Sequence, residues 1–185
     1  MFILTLVQFI IESANFMLRR TWDDTFSVMI RRFCPLDYKF LRTVDDITLN
    51  HEQVVEGFRR IVFNYIGSNK DDHAKNFSFA MDKNGEWFLA PAYDVGFSKG
   101  HNDLHSMRLN DKFRNAEVRD FRNIARDFDI AHWESIVKKA LDAFYTWPEI
   151  AKNCSVPGKY IQMIGNKINE NTRRLEKDLN RGLER

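Results

Sequence analysis

Residues 69–94 read NKDDHAKNFSFAMDKNGEWFLAPAYD, and the organisation of the whole chain follows from them. Ser68–Asn76 is a polar loop that carries Asp71, His73, Lys75 and Asn76. Phe77–Met81 and Trp87–Leu89 alternate on either side of Asp82-Lys83-Asn84-Gly85, the pattern of a β-hairpin with a glycine-containing turn. The second strand then runs into Pro91, and Asp94 stands eighteen positions after Asn76. A loop held between two rigid elements is a platform on which polar groups can be fixed in space.

The loop is entered from a helix. Asn50, with Gln53 three positions on, predicts a capping-box start. Val54, Val55, Phe58, Ile61, Val62, Tyr65 and Ile66 recur at helical spacing, and Gly67 supplies the stop. Downstream of Asp94 a stretch rich in Gly, Ser, His and Asn reads as mobile as far as Asn115. The rest is helical. Val118, Phe121, Ala125 and Phe128 form one apolar face, and Trp133, Ile136, Val137, Ala140, Leu141 and Phe144 form a second. Pro157 opens a long final helix with Tyr160, Ile161, Ile164, Ile168, Leu175 and Leu179 on its stripe.

Composition excludes several classes. At 185 residues, 44% hydrophobic and 14% aromatic, the chain is neither disordered nor too small to own a core. Eight Gly and four Pro exclude collagen-like and low-complexity sequences. Lys and Arg number 28 against 26 Asp and Glu, so there is no excess basic charge of the kind that marks a nucleic-acid-binding domain. Cys34 and Cys154 read as reduced thiols of a cytosolic protein. Met1–Ile11 has nine apolar residues in eleven, but no basic n-region precedes it and Glu12 follows without a cleavage site. It is also far short of the ~20 residues that span a bilayer, and reads as a buried strand or helix.

The order Asp, Asn five positions later, hairpin, Asp matches the demands of phosphoryl transfer. That reaction asks for an oxygen acceptor that aligns a substrate hydroxyl and for hard oxygen ligands that hold Mg²⁺ against phosphates. Protein kinases meet it with the Asp and Asn of H-R-D-x-x-x-x-N and a second Asp after a hairpin. Asp71, Asn76 and Asp94 are the right residue types in the right order, and Lys75 is a point cation beside them.

The words around these residues narrow the resemblance. Asn69–Ser78 (NKDDHAKNFS) resembles the D-x-H-x-K-N-[FI]-S catalytic loop of HipA-type serine/threonine kinases. Ala90–Asp94 (APAYD) is similar to the P-x-Y-D segment that replaces D-F-G in that family. Ile61–Ser68 (IVFNYIGS) and Ser106–Lys112 (SMRLNDK) resemble flanking family segments, so that the likeness covers about residues 50–150. The resemblance implies an α+β, mainly α fold, a protein-kinase-like C-terminal lobe with a small β-hairpin at the active site. It implies Asp71 as the proton acceptor, and Asn76 and Asp94 as Mg²⁺ ligands. His73, Ala74, Lys75, Asn76, Tyr93 and Asp94 would meet ATP. It further implies a cytoplasmic toxin of a toxin–antitoxin pair. Such a toxin phosphorylates a serine of a protein, an aminoacyl-tRNA synthetase in this family, and is opposed by a DNA-binding HipB-like antitoxin. Direct DNA contact by this chain is left open, and no membrane partner is expected.

Other readings stand beside this one. Taken alone, Asp71-Asp72 is a solvated acidic pair. His73, His101 and His105 have no common metal-ligand spacing and read as free surface histidines. Arg119, Arg122 and Arg126 share a helical face, but interleaved Glu117, Asp120 and Asp127 make it a solvated one. A kinase also needs a glycine-rich phosphate-covering loop and a strand lysine. The first glycine here is Gly57 and the first lysine is Lys39, neither in such a context. Residues 1–48 therefore read as a poorly signalled segment, a remnant of the smaller lobe or hinge around Phe26–Phe33 (FSVMIRRF), and 49–185 as the larger lobe. A fragment of a larger kinase, a truncated product, and a protein completed by another chain all fit that division. A catalytically inactive lobe that serves as an antitoxin- or partner-binding module is the alternative function.

Overall fold

The sequence from Asn50 to Gly67 builds the helix that contributes most to the hydrophobic core. In a computed structural model, which describes residues 26–29 and 37–183, this helix runs from His51 to Gly67. The elements in chain order are β1 (Phe26–Met29), α1 (Asp37–Thr48), α2 (His51–Gly67), β2 (Ser78–Met81), β3 (Trp87–Leu89), α3 (Val118–Asp127), α4 (Trp133–Tyr145), α5 (Trp147–Asn153) and α6 (Gly158–Leu183). Met1–Ile11, Cys34 and the part of FSVMIRRF after Met29 lie outside the described residues.

α2 starts at the expected cap but differs from expectation in the role of Gln53 and in its C-terminal cap. Asn50 is the N-cap, its side chain accepting from the Glu52 N–H. Gln53 does not close a capping box. Its Oε1 instead accepts the Leu89 N–H at 2.9 Å, which docks β3 on the first turn of α2. At the other end the left-handed cap is Ser68, with φ 53°, rather than Gly67. Gly67 is required by packing, because a Cβ there would lie 2.6 Å from the Phe144 ring.

The hairpin forms as expected. Phe79 pairs with Leu89 and Met81 with Trp87 in antiparallel register. Its turn is organised by Asp82, whose Oδ1 accepts from the N–H groups of Asn84 and Glu86, and Gly85 takes φ 83°. Those backbone donors, Glu86 first, hold the Asp82 carboxyl below its ordinary range. The sheet is larger than the hairpin alone. β1 adds to β2 in antiparallel register, Phe26 opposite Met81 and Met29 opposite Ser78, in the order β1-β2-β3.

The core lies between α2 and the helices that surround it. Phe58, Ile66, Leu41, Phe121, Leu141 and Leu175 are fully buried and join α1, α2, α3, α4 and α6. Burying each such side chain is worth roughly 1.5–3 kcal/mol. Phe121 presents its edge or face to Phe58 and Tyr65 at 6.4 and 6.2 Å, in T-shaped pairs. The apolar faces of α3 and α4 fall where the periodicity puts them, and Ile124 joins the α3 face. α3 carries a true capping box, Glu117 with Asp120. On α6, Ile168 and Leu175 enter the core, whereas Tyr160 stays 44% exposed beneath the Lys159 ammonium. None of the helices among the described residues is long and apolar enough to cross a membrane.

Candidate active site

The loop that leaves α2 is anchored at its first residues. Asn69 donates from its backbone and its side-chain amide to Asn64 O and Oδ1, at 2.9 and 3.0 Å, and Ser68 O accepts the Ser98 N–H. Beyond this point side chains alternate between the interior and solvent, as extended backbone requires. Lys70 is buried, Asp71 is exposed and Asp72 is only 2% exposed.

Asn76 and His73 lie beside that exposed Asp71, and Tyr93 is tied to the loop through Lys75. Asn76 closes the loop on itself, its Nδ2 donating to Asp71 O at 2.7 Å across a 3₁₀ turn, Ala74–Asn76. His73 Nε2 lies 3.5 Å from Asp71 Oδ1, while its Nδ1 is buried without a partner among the described residues. Lys75 projects to solvent, and its carbonyl accepts the Tyr93 hydroxyl at 2.7 Å. Tyr93 thereby pins the end of the hairpin's outgoing strand to the loop. The next residue, Asp94, is exposed and adopts φ 51°, a left-handed conformation that Asp tolerates better than most residues. One hydrogen bond, from Tyr93 to Lys75, thus joins 71–76 to the residue before Asp94, although the whole hairpin separates them.

The fit to a divalent cation follows from how these groups are used. Asn76 spends its N–H₂ on Asp71, which leaves Oδ1 available as an acceptor. Asp94 offers an exposed carboxylate. Two such side chains suit Mg²⁺, which is usually held through one or two protein oxygens with phosphate and water oxygens completing the shell. No three His, Cys, Asp or Glu side chains among the described residues are arranged to hold a metal by themselves.

The structure also gives work to residues that the motif passed over. Asp72 is no solvated partner of Asp71. Its Oδ2 meets His105 Nδ1 at 2.8 Å, and its Oδ1 accepts the N–H groups of Ser106 and Met107 at 2.8 and 3.0 Å. His105 is correspondingly buried, not a free surface histidine, and its ring stacks on Tyr65 at 4.0 Å with 6° between planes. The Tyr65 hydroxyl accepts from the Leu109 N–H and lies within hydrogen-bonding distance of the Lys112 and Met107 carbonyls. Burial holds that phenol well above its usual range, so it remains neutral. The stretch after Asp94, expected to be mobile, is therefore stitched to the loop and to α2. No local pattern signals this, because the partners lie more than thirty residues apart.

A helical platform, a hairpin beside it and a catalytic-type loop between them make up the larger lobe of a protein kinase. The chain belongs to the HipA-like C-terminal domain family, whose family model matches residues 11–154. Its fold is similar to that of a chain in the complex of the Shewanella oneidensis MR-1 toxin–antitoxin system HipA, HipB and its operator DNA. The TM-score is 0.61 at 15% identity over 78% of this chain and 37% of that one. A 48-residue stretch is 50% identical to a Haemophilus influenzae protein named "Putative kinase", covering 25% of this chain and 14% of that protein. The chain thus spans well under half of either relative.

Proposed function

We propose that this chain is the catalytic lobe of a HipA-like serine/threonine protein kinase that uses Mg-ATP. The observation that carries the reading is the closed loop: Asn76 Nδ2 on Asp71 O, and Tyr93 on Lys75 O. These bonds tie the loop that carries Asp71 and Asn76 to the residue that precedes Asp94. In this reading the Asp71 carboxylate accepts the proton of a substrate serine hydroxyl and aligns its oxygen for attack. Asn76 and Asp94 would hold Mg²⁺, which, when bound, draws charge from the nucleotide phosphates. Lys75 and the His73–Ala74 backbone border the phosphates, and Tyr93 keeps Asp94 in register with the loop.

Phosphoryl transfer suits so sparse a set because positioning and electrostatics supply nearly all the catalysis. A HipB-like, DNA-binding antitoxin as partner, a toxin's role in the cytoplasm and a synthetase serine as target are part of the same proposal. Membership of the family supports them, as does the likeness to a complex that brings HipA together with HipB and operator DNA. Calorimetry with Mg-ATP on the wild type and the Asp94→Asn variant tests the ligand assignment. Affinity should fall for the variant, and equal isotherms with measurable affinity overturn it. Transfer of γ-phosphate to protein serine, abolished in Asp71→Asn, tests the base. If the chain binds a HipB-like partner but never transfers phosphate, the partner-binding module is the correct reading instead.

A further inference from the structure

The two residues that flank Asp71 are buried, and both grip the same downstream segment. Lys70 sends its ammonium to the Asp103 carboxylate and to Asp103 O, the latter at 3.1 Å, and its own carbonyl accepts from Ser106 N and Oγ at 3.0 and 3.1 Å. Asp72 accepts from His105, Ser106 and Met107. Gly100 makes the turn between them possible. It takes φ 62°, and a Cβ there would meet Leu104 O at 2.1 Å and Lys70 Cβ at 2.8 Å. Asp71 itself contributes nothing to this grip, because its carboxylate faces solvent. Its place is decided by its neighbours.

We infer that Lys70 and Asp72 are positioning residues that set Asp71 and Asn76 by clamping residues 103–107 under the catalytic loop. The inference rests on the kinase reading for its catalytic consequence, but the clamp itself does not. Buried ion pairs and charge-assisted hydrogen bonds are poor sources of net stability, since desolvation offsets most of the attraction. They are effective at selecting one geometry, because the Lys70, Asp72 and His105 side chains are buried and losing a partner strands them, whereas the Asp103 side chain is 57% exposed. The Lys70 ammonium beside it holds the Asp103 carboxyl below its ordinary range, and Lys167 Nζ lies 3.6 Å from the same carboxylate. Lys70 and Asp103 also line an open cleft of about 520 Å³ between this segment and α6. A broken pair can therefore relax into existing space. Loosening of the loop, rather than collapse of the core, is the consequence.

The test uses Asp72→Asn, Lys70→Met, Lys70→Arg and His105→Gln in the full chain, with two readouts. Amide hydrogen exchange should rise at least tenfold for residues 71–76 and 103–107 in Asp72→Asn and Lys70→Met. Amides of the α2 core should remain at wild-type rates. Lys70→Arg, which keeps the charge, should restore most of the protection. For phosphotransfer, kcat should fall by about 10²-fold while the KM for ATP stays within about threefold, the signature of a misplaced base rather than lost binding. Wild-type exchange at 71–76 in both Asp72→Asn and Lys70→Met overturns the clamp. So does a uniform rise throughout α2, which would mark a purely structural role, with His105→Gln deciding if Asp72→Asn does not fold. If the wild type transfers no phosphate, the kinase reading fails while the exchange data still decide the clamp.

Discussion

Asn171, in the middle of α6, caps the end of α2 from 103 residues away: its Nδ2 lies 2.9 Å from Ser68 Oγ. The same amide lies 3.2 and 3.1 Å from the Tyr65 and Ile66 carbonyls, which the helix end leaves without intrahelical partners. Because Asn171 is buried, water cannot replace it. Asn171→Ala should cost about 1–3 kcal/mol in chemical unfolding, the usual penalty for stranding buried carbonyls. A loss below about 0.5 kcal/mol would show that α6 is not what caps α2.

Gly67 is where α2 makes room for the Phe144 ring of α4. A methyl group at 67 would sit 2.6 Å from Phe144 Cζ, and the Phe144 ring is wedged against Phe63 at 4.8 Å. Gly67→Ala is therefore expected to destabilise by about 1–3 kcal/mol through overpacking, despite alanine's better helix propensity. Phe144→Leu in the Gly67→Ala background should recover part of the loss, with a coupling above about 0.5 kcal/mol in a double-mutant cycle. Additive effects would place the clash elsewhere.

Asp37 makes stability depend on pH. It is buried at the start of α1, where it accepts from the Tyr38 and Asn110 N–H groups, and burial pushes its carboxyl from 3.8 up to about 6. Above pH 6 both states carry the charge, and the fold bears the full cost of burying it. As pH falls from 6 towards 4, the folded state takes up the proton before the unfolded chain does, so this group then favours folding. A displacement of that size corresponds to at most about 3 kcal/mol. The stability of Asp37→Asn relative to wild type should thus rise as pH is raised from 4.5 to 7. Urea unfolding across that range measures it, and a flat difference would show that Asp37 does not titrate with folding.

Asn76 serves two tasks that one substitution can separate. Asn76→Asp keeps an acceptor oxygen but loses the N–H₂ donor to Asp71 O. Under the proposed function it should retain Mg²⁺-dependent nucleotide binding and lose kcat by about 10²-fold through the misplaced Asp71. Asn76→Ala should lose both. Calorimetry and single-turnover transfer together check this, and equal kcat for Asn76→Asp and wild type would show that the Asp71–Asn76 hydrogen bond is irrelevant to turnover.

Much of this molecule is legible one residue at a time. The periodicity of α2, α3, α4 and α6 follows from apolar side chains recurring at 3.6-residue spacing, which is a local property of the chain. The hairpin follows from alternation around Asp82–Gly85, and the candidate site from Asp71, Asn76 and Asp94 in order with the K-N-F-S and P-x-Y-D words beside them. The match of the family model to residues 11–154 confirms the family those words indicate. Where local reading goes astray, a distant partner has intervened. Gln53 has the spacing of a cap and binds Leu89. Gly67 has the look of a left-handed stop and makes room for Phe144.

Residue types and their spacing were enough to say which groups could do chemistry and which faces had to be buried. They could not say which member of Asp71-Asp72 faces solvent, that His105 is sealed against Tyr65, or that Lys70 reaches Asp103; those follow from the packed fold alone. The reason is physical. Two adjacent carboxylates have the same composition and the same local propensity. Their fates diverge only when a segment more than thirty residues downstream supplies backbone N–H groups to one of them and leaves the other to water.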